Sequence, residues 1–394
     1  MYIPTTKTWQ FANGLRIVWL PQREINSFFV DARVLLGSAH AANKALPHTL
    51  EHLVAFSPTR KFPTASASAA FIRKNSIEFE GATHHFYTQY TALCGADRFA
   101  EVLLLINEKL FTARFSSKIW QTERARITEE FDERVNDQTT DFLDKLFAAQ
   151  DAALARPIGT EKELQQITLP MIQILYDKYY TPSNILLFCS GQAQDEQKIR
   201  EAAKKLWGTL HLVKETAITL PPLIREKPSR TNKISATKQR YFALSFSLPL
   251  QDIADISATD LIYEMLMFPD GLLQQARDRF GSYHLLPAYR ILPDRTVFTL
   301  YGISSNTHQI PEITLFIQNG LRTKNFFSRE KFFAAHQKQL QMLLTDFEFD
   351  YRTFNILWLY SAYAGKLLTP QELFQNHKKL AFAITKNVFS RLIN

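Results

Sequence analysis

His48, Glu51 and His52, within the run His48-Thr49-Leu50-Glu51-His52, are the residues whose types and spacing best suit chemistry. On a helix the two histidines stand four apart on one face, with Glu51 beside them on that face. Two imidazoles at that spacing can hold one metal ion, and a carboxylate between them can take a proton from a water on that ion. The order H-x-x-E-H reverses the commoner H-E-x-x-H. A second pair of carboxylates lies downstream: Glu123 and Glu130 are seven apart (130 − 123), two turns along one face of a long charged helix expected over about Ser117–Asn136. Glu130 follows His52 by 78 residues (130 − 52), so only tertiary structure can bring it to the histidines.

The elements that must position these residues follow from pattern and punctuation. Pro47 suits the first turn of a helix running from about Leu46 to Phe56, which is apolar around the histidine face. Leu15–Leu20 and Phe28–Leu36 read as two strands of a hairpin, and Ile77–Ala82 and Phe86–Cys94 as two more. Helices are expected over Ala65–Asn75, Arg98–Phe111, Leu164–Tyr180 and Asp195–Trp207, with a buried strand at Asn184–Ser190. The pattern then breaks. Prolines 221, 222 and 228 stand among Arg225, Lys227, Arg230 and Lys233, marking a linker over residues 220–238. Afterwards it restarts with a strand at Tyr241–Leu248, helices at Ala258–Phe268 and Leu272–Phe280, a strand pair turning at Pro293-Asp294, and a helix-rich ending. The chain therefore reads as α+β: an N-terminal half-domain, 1–219, carrying H-x-x-E-H, and a C-terminal half-domain, 239–394, without it.

Composition bounds the function classes. A chain of 394 residues exceeds one ordinary core, and 46% apolar with 21% charged residues describes a globular protein. The formal charge of +8 is carried by no long basic block and reads as solvated surface, so a nucleic-acid partner is not expected. The only cysteines, Cys94 and Cys189, lie in apolar strand-like runs and read as buried free thiols, which fits a reducing compartment. No uninterrupted apolar run is long enough to span a bilayer, and the first residues lack a charged segment followed by an apolar one; the expected location is cytoplasmic, with no membrane partner. His40, His211, His308, His336 and His377 stand in no partner pattern and read as ordinary packed or surface residues.

Taken together these residues resemble the M16 metallopeptidase family, the group of pitrilysin, insulin-degrading enzyme and mitochondrial processing peptidase, whose H-x-x-E-H is the inverzincin signature. The resemblance rests on His48–His52 and on Glu123-Arg124-Ala125-Arg126-Ile127-Thr128-Glu129-Glu130, which looks like the family's paired-glutamate stretch. Pro157-Ile158-Gly159-Thr160 and Tyr179-Tyr180-Thr181-Pro182-Ser183-Asn184 look like two further landmarks. It implies that His48, His52 and Glu130 bind one zinc ion per chain, that Glu51 is the general base, and that Glu123 orients a ligand. Glu130 is preferred over its neighbour Glu129 because it shares a face with Glu123 and matches the family spacing. The implied fold is two homologous α/β-sandwich half-domains, each an antiparallel-rich sheet covered by helices. The implied activity is endopeptidase cleavage of peptides or unfolded segments, the substrate adding as a strand to a sheet edge expected between Gly81 and Thr91.

This chain departs from the family pattern in three places. His84-His85 stand where the family has Asn-Ala beside its edge strand, so His84 is a candidate for substrate binding or an exposed turn residue. Arg277 opens a stretch like the family's substrate-binding arginine/tyrosine motif, but the position seven further on is His284, with Tyr283 one early. The family chamber takes four half-domains and this chain supplies two, so a homodimer or a heterodimer with a related chain is expected. The rival functions are a non-catalytic, peptide-binding subunit of such a heterodimer and, remotely, a basic nucleic-acid-binding protein.

Overall fold

A computed structural model describes residues 3–23, 25–208, 240–282, 284–323 and 326–393. It divides into two compact units, one of Pro4–Ser229 with Asp350–Asn355, the other of Met1–Ile3, Arg230–Phe349 and Ile356–Asn394. The expected linker at 220–238 lies outside the described residues.

The N-terminal unit is built on a six-stranded sheet of β1 (Lys7–Gln10), β2 (Arg16–Gln22), β3 (Ser27–Val34), β4 (Glu78–Thr83), β5 (Thr88–Gly95) and β6 (Ile185–Gln192), in the order β1-β2-β6-β3-β5-β4. β6 is buried along all but its last residue, Gln192, as a central strand must be. It runs parallel to β2 and antiparallel to β3. The expected hairpin of β2 with β3 therefore does not form. Both strands are almost wholly buried, which an isolated hairpin cannot provide, and β6 supplies the apolar neighbour each needs.

Alternation along β3 serves two layers. Phe28, Val30, Ala32 and Val34 join the helix-side core. On the other face, Phe29 stacks on Phe354 with ring centroids 6.1 Å apart, and Asp31 and Arg33 form a buried ion pair at 2.5 Å. Arg33 also donates to Oδ1 of Asn355 at 2.6 Å.

The helices of this unit are α1 (Ala45–Phe56), α2 (Ala65–Lys74), α3 (Phe99–Thr112), α4 (Ser117–Asn136), α5 (Gln138–Gln150), α6 (Glu161–Gln166), α7 (Leu169–Tyr179) and α8 (Glu196–Trp207). The single helix expected over Leu164–Tyr180 is two. Pro170 has no N–H to continue a helix and stands instead in the first turn of α7. Strand β1, four residues with one buried, offers no apolar periodicity; α5 is a further helix beyond those expected, and its Phe142, Leu143, Leu146 and Phe147 have helical spacing.

The C-terminal unit has a three-stranded antiparallel sheet, β7 (Arg240–Pro249), β8 (Leu285–Ile291) and β9 (Arg295–Ser304), in the order β7-β9-β8. The reversal between β8 and β9 falls at Pro293-Asp294, closed by a bond from Leu292 N–H to Arg295 O at 2.7 Å. Its helices are α9 (Ile253–Leu266), α10 (Leu272–Phe280), α11 (Ile310–Arg322), α12 (Arg329–Asp346), α13 (Asp350–Ala364, whose first residues, Asp350–Asn355, belong to the N-terminal unit), α14 (Pro370–Lys378) and α15 (Phe382–Ile393). Leu261, Met265, Phe298, Ile317 and Phe332 are among the residues of a second core. Each unit is thus a sheet covered by helices, the α+β arrangement expected from the sequence. Among the described residues no helix is long and apolar enough to cross a membrane.

Candidate metal centre

Helix α1 carries the three central residues, and its start is held from outside. Its N-cap, Lys44, offers no side-chain cap; instead Glu163 accepts from the Lys44 N–H at 2.8 Å. Glu163 also closes the capping box of α6 with Thr160, so one carboxylate ties two helix starts together. Gly159, just before Thr160, has φ of +71°, and a Cβ there would stand 2.6 Å from the backbone N of Ala45. Pro157–Thr160 therefore acts as a brace under the first turn of α1. Gly159→Ala should lower unfolding stability by about 2 kcal/mol or more, from the left-handed backbone plus the backbone clash. Urea unfolding of both proteins measures this.

Within the first four turns of α4, Trp120, Glu123 and Ile127 are buried, and this face brings Glu123 and Glu130 to α1. His48 Nε2 stands 3.5 Å from Oε1 of Glu130, and His52 Nε2 stands 3.3 Å from Oε2. One ligand atom from each of His48, His52 and Glu130 fits within 4.8 Å of the others. Ligands about 2.0–2.1 Å from one ion at tetrahedral angles lie about 3.3–3.4 Å apart, so the two histidine–Glu130 separations suit a single small divalent ion. Glu130 is 48% exposed, which leaves the cluster open on that side. Glu129 is exposed and is not part of this group.

The electrostatics favour a cation at the same point. Burial opposes charge on His52, but its hydrogen bonds to Glu123 and Glu130, with the field of Glu51, outweigh it and push the imidazole up to about 9. The bonds from His48 and His52 hold Glu130 well below the usual carboxylate range. Burial pushes Glu51 up, against the opposing effect of the two histidines.

Glu123 is buried beside His52, Oε2 at 3.3 Å from Nδ1, and its Oε1 accepts from Nη1 of Arg126 at 2.8 Å. A carboxylate on Nδ1 keeps the proton there and leaves the lone pair of Nε2 for a metal. His48 Nδ1 is buried with no such partner among the described residues.

Glu51 is buried, 3.8 Å from Nε2 of His48, and its Oε2 accepts from the hydroxyl of Thr83 at 3.3 Å. Strand β4 passes directly over it: a Cβ at Gly81 would stand 2.4 Å from Glu51 Oε1. β4 is the outermost strand, bonded to β5 on one side and to no other strand among the described residues. The edge expected over Gly81–Thr91 is therefore β4 itself, because β5 is paired on both sides, with β3 and β4. A cavity of about 410 Å³ opens beside Glu51 and His52, walled by Phe56, Ile72 and Phe79 with Lys109.

The remaining candidates lie elsewhere. His84 follows β4 in the hairpin turn, half-buried rather than exposed, stacked on Tyr87 with ring centroids 4.4 Å apart and 3.3 Å from Oε1 of Gln89. Burial holds its pKa below the ordinary value. Arg277, on α10, gives Nη2 to Leu285 O at 2.6 Å and Nη1 to Gln274 at 2.9 Å, and lines a cavity of about 600 Å³ with Ser282 and His284. Tyr283 lies outside the described residues. Sequence reasoning placed Gly81 and Thr83 in the expected edge but not against Glu51, and gave Arg126 no role. A glycine inside a strand signals close backbone approach, and Arg126 is three on from Glu123, so two of the three carried a readable signal.

Four similarities to known proteins bear on this site. Residues 166–340 match the family model described as the Peptidase M16 inactive domain. That span begins 36 residues after Glu130 (166 − 130) and includes none of the clustered residues. The chain is 25% identical over 207 residues to mitochondrial-processing peptidase subunit beta of Dictyostelium discoideum, 51% of this chain and 44% of that one. It is 23% identical over 278 residues to zinc protease PqqE of Helicobacter pylori, 67% of this chain and 62% of that one. These matches thus span less than two thirds of either relative's own length. In fold it is similar to the crystal structure of a protease from Helicobacter pylori, with a TM-score of 0.84 at 20% identity over 100% of this chain and 97% of that chain.

Proposed function

Since the chain belongs to the M16 peptidase family, we propose that it is a zinc-dependent endopeptidase that hydrolyses peptides or unfolded polypeptide segments. One observation carries the reading: the ligand atoms of His48, His52 and Glu130 converge beside a buried carboxylate, Glu51, that lies against an open strand edge.

His48, His52 and Glu130 would hold the ion, with Glu123 fixing the ring of His52. Bound there, zinc supplies Lewis acidity, polarising the scissile carbonyl and lowering the pKa of water toward about 7. Glu51 accepts the proton from the attacking water and returns it to the leaving amine nitrogen, so one carboxylate serves as base and then acid. The Thr83 hydroxyl holds Glu51 in place while it does so. The free edge of β4 binds the substrate backbone as an added strand, a mode that reads main chain more than side chain and suits loosely specific cleavage. The apolar cavity beside Glu51 takes one substrate side chain. Similarity to a zinc protease supports the metal. Similarity to a processing-peptidase subunit supports a second chain in the active assembly, a homodimer or a related partner.

The test is metal content with cleavage of a quenched, unfolded peptide. Purified protein should contain about one zinc per chain, lose cleavage on chelation and regain it when zinc is restored. Protein that takes up no zinc under any condition overturns the reading. Zinc bound tightly without cleavage, in the isolated chain and in any assembly it forms, would favour the non-catalytic subunit instead.

A further inference from the structure

The C-terminal unit carries an open cavity of about 630 Å³ that the peptidase reading leaves unused. Among its lining residues Asp260, on α9, accepts hydrogen bonds from two tyrosine hydroxyls, Tyr289 of β8 and Tyr360 of α13, the second at 2.6 Å. Tyr360 also lies 3.0 Å from Nε2 of His377, whose Nδ1 stands 3.0 Å from Leu373 O. An ionised carboxylate has about four acceptor positions, so this clasp leaves about two of them unspent.

The other polar groups of the lining point the same way. Gln339 is 93% buried (100 − 7), and its Nε2 donates to Ser257 O at 3.1 Å, which fixes the amide's orientation. Its Oε1 accepts no hydrogen bond from any described residue. A buried carbonyl oxygen left without a donor costs about 1–3 kcal/mol, which a donor-bearing ligand would recover. Glu264 and Asp346 bring two more carboxylates to the lining. Lys338 pairs with Glu264 at 2.5 Å, and Arg290, an exposed residue of the lining, gives Nη1 to the carbonyl of Tyr289 at 3.0 Å. The rings of Tyr263 and Tyr289 stand edge to face at 5.8 Å and form an aromatic wall. Burial pushes Asp260 up despite its tyrosine partners, so an incoming positive charge would relieve that carboxylate.

The lining carries three carboxylates, Asp260, Glu264 and Asp346, against one cation, Arg290, which disfavours an anion, and a neutral apolar ligand has no use for Gln339 Oε1. We propose that this cavity binds a protonated amine or guanidinium group, such as the head of a lysine or arginine side chain or a free alkyl diamine. The site lies wholly within the C-terminal unit and needs neither zinc nor peptidase activity.

Calorimetric titration of the full chain tests it with Nα-acetyl-arginine amide, its neutral isostere Nα-acetyl-citrulline amide, and cadaverine. The arginine amide or cadaverine should bind about tenfold or more tighter than the citrulline amide, as one charge-assisted hydrogen bond gives. A tighter arginine amide identifies a polypeptide side chain as the ligand class, and a tighter cadaverine a free amine. Asp260→Asn should cost about tenfold. Asp346→Asn leaves the tyrosine clasp intact and should weaken binding severalfold in protein that folds normally. Neither cation binding more tightly than the citrulline amide, or charged-ligand affinity unchanged in both variants, overturns the proposal.

Discussion

Glu51→Gln should retain about one zinc per chain and lose about 10²–10⁴-fold in peptide cleavage, the range that removal of a positioned general base gives. The substitution keeps the size of the side chain, which matters under Gly81, where a Cβ would stand 2.4 Å from Glu51 Oε1. The glutamine oxygen can still accept from Thr83, so the side chain should stay where it is. It cannot take a proton from water, and that is the step removed. The buried charge disappears as well, so unfolding stability should hold or rise slightly. The informative pairing is zinc content with kcat. Zinc kept with kcat collapsed assigns Glu51 to proton transfer. Zinc lost with kcat would move Glu51, 3.8 Å from His48 Nε2, into the ligand set. Zinc and kcat both retained would remove it from the chemistry.

What the sequence revealed of this site divides along a physical line. Features set by spacing on one helix were legible: His48, Glu51 and His52 on α1, and Glu123 with Glu130 on α4, because a helix fixes which residues share a face. So was Pro47 in the first turn of α1. Features that depend on which segments meet were not. The order of the sheet turns on β6, a strand that starts 151 residues after β3 closes (185 − 34 = 151), and no local pattern announces where it inserts. The brace of Gly159 and Glu163 under α1 is equally non-local. The half-buried setting of His84 depends on its contacts with Tyr87 and Gln89 across a turn, so its exposure was misjudged from sequence. The cluster around Asp260 draws on α9, β8, α13 and α14, and none of its members stood out by spacing; His377 in particular looked ordinary.

The third ligand is the place where the resemblance and the geometry can be separated by experiment. Glu130→Ala and Glu123→Gln should differ in kind. Removing a direct ligand forfeits its share of binding. If zinc at a protein site is worth about 10–16 kcal/mol over four positions, one position carries about 3–4 kcal/mol, a loss of about 10²–10³-fold in affinity. Of the clustered ligands Glu123 meets only His52, at Nδ1, so Glu123→Gln should cost about 10–100-fold, the usual effect of loosening a ligand's orienting partner. The amide can still meet Nδ1, but it no longer neutralises Arg126, which loses its partner at 2.8 Å. Glu129→Ala is the control, since Glu129 stands outside the cluster and should leave affinity unchanged. Competition titration with a chromophoric chelator ranks all three on one scale. The expected order is Glu130→Ala weakest, Glu123→Gln intermediate and Glu129→Ala as wild type. An order in which Glu123→Gln binds zinc more weakly than Glu130→Ala would make Glu123 the ligand and Glu130 its exposed neighbour.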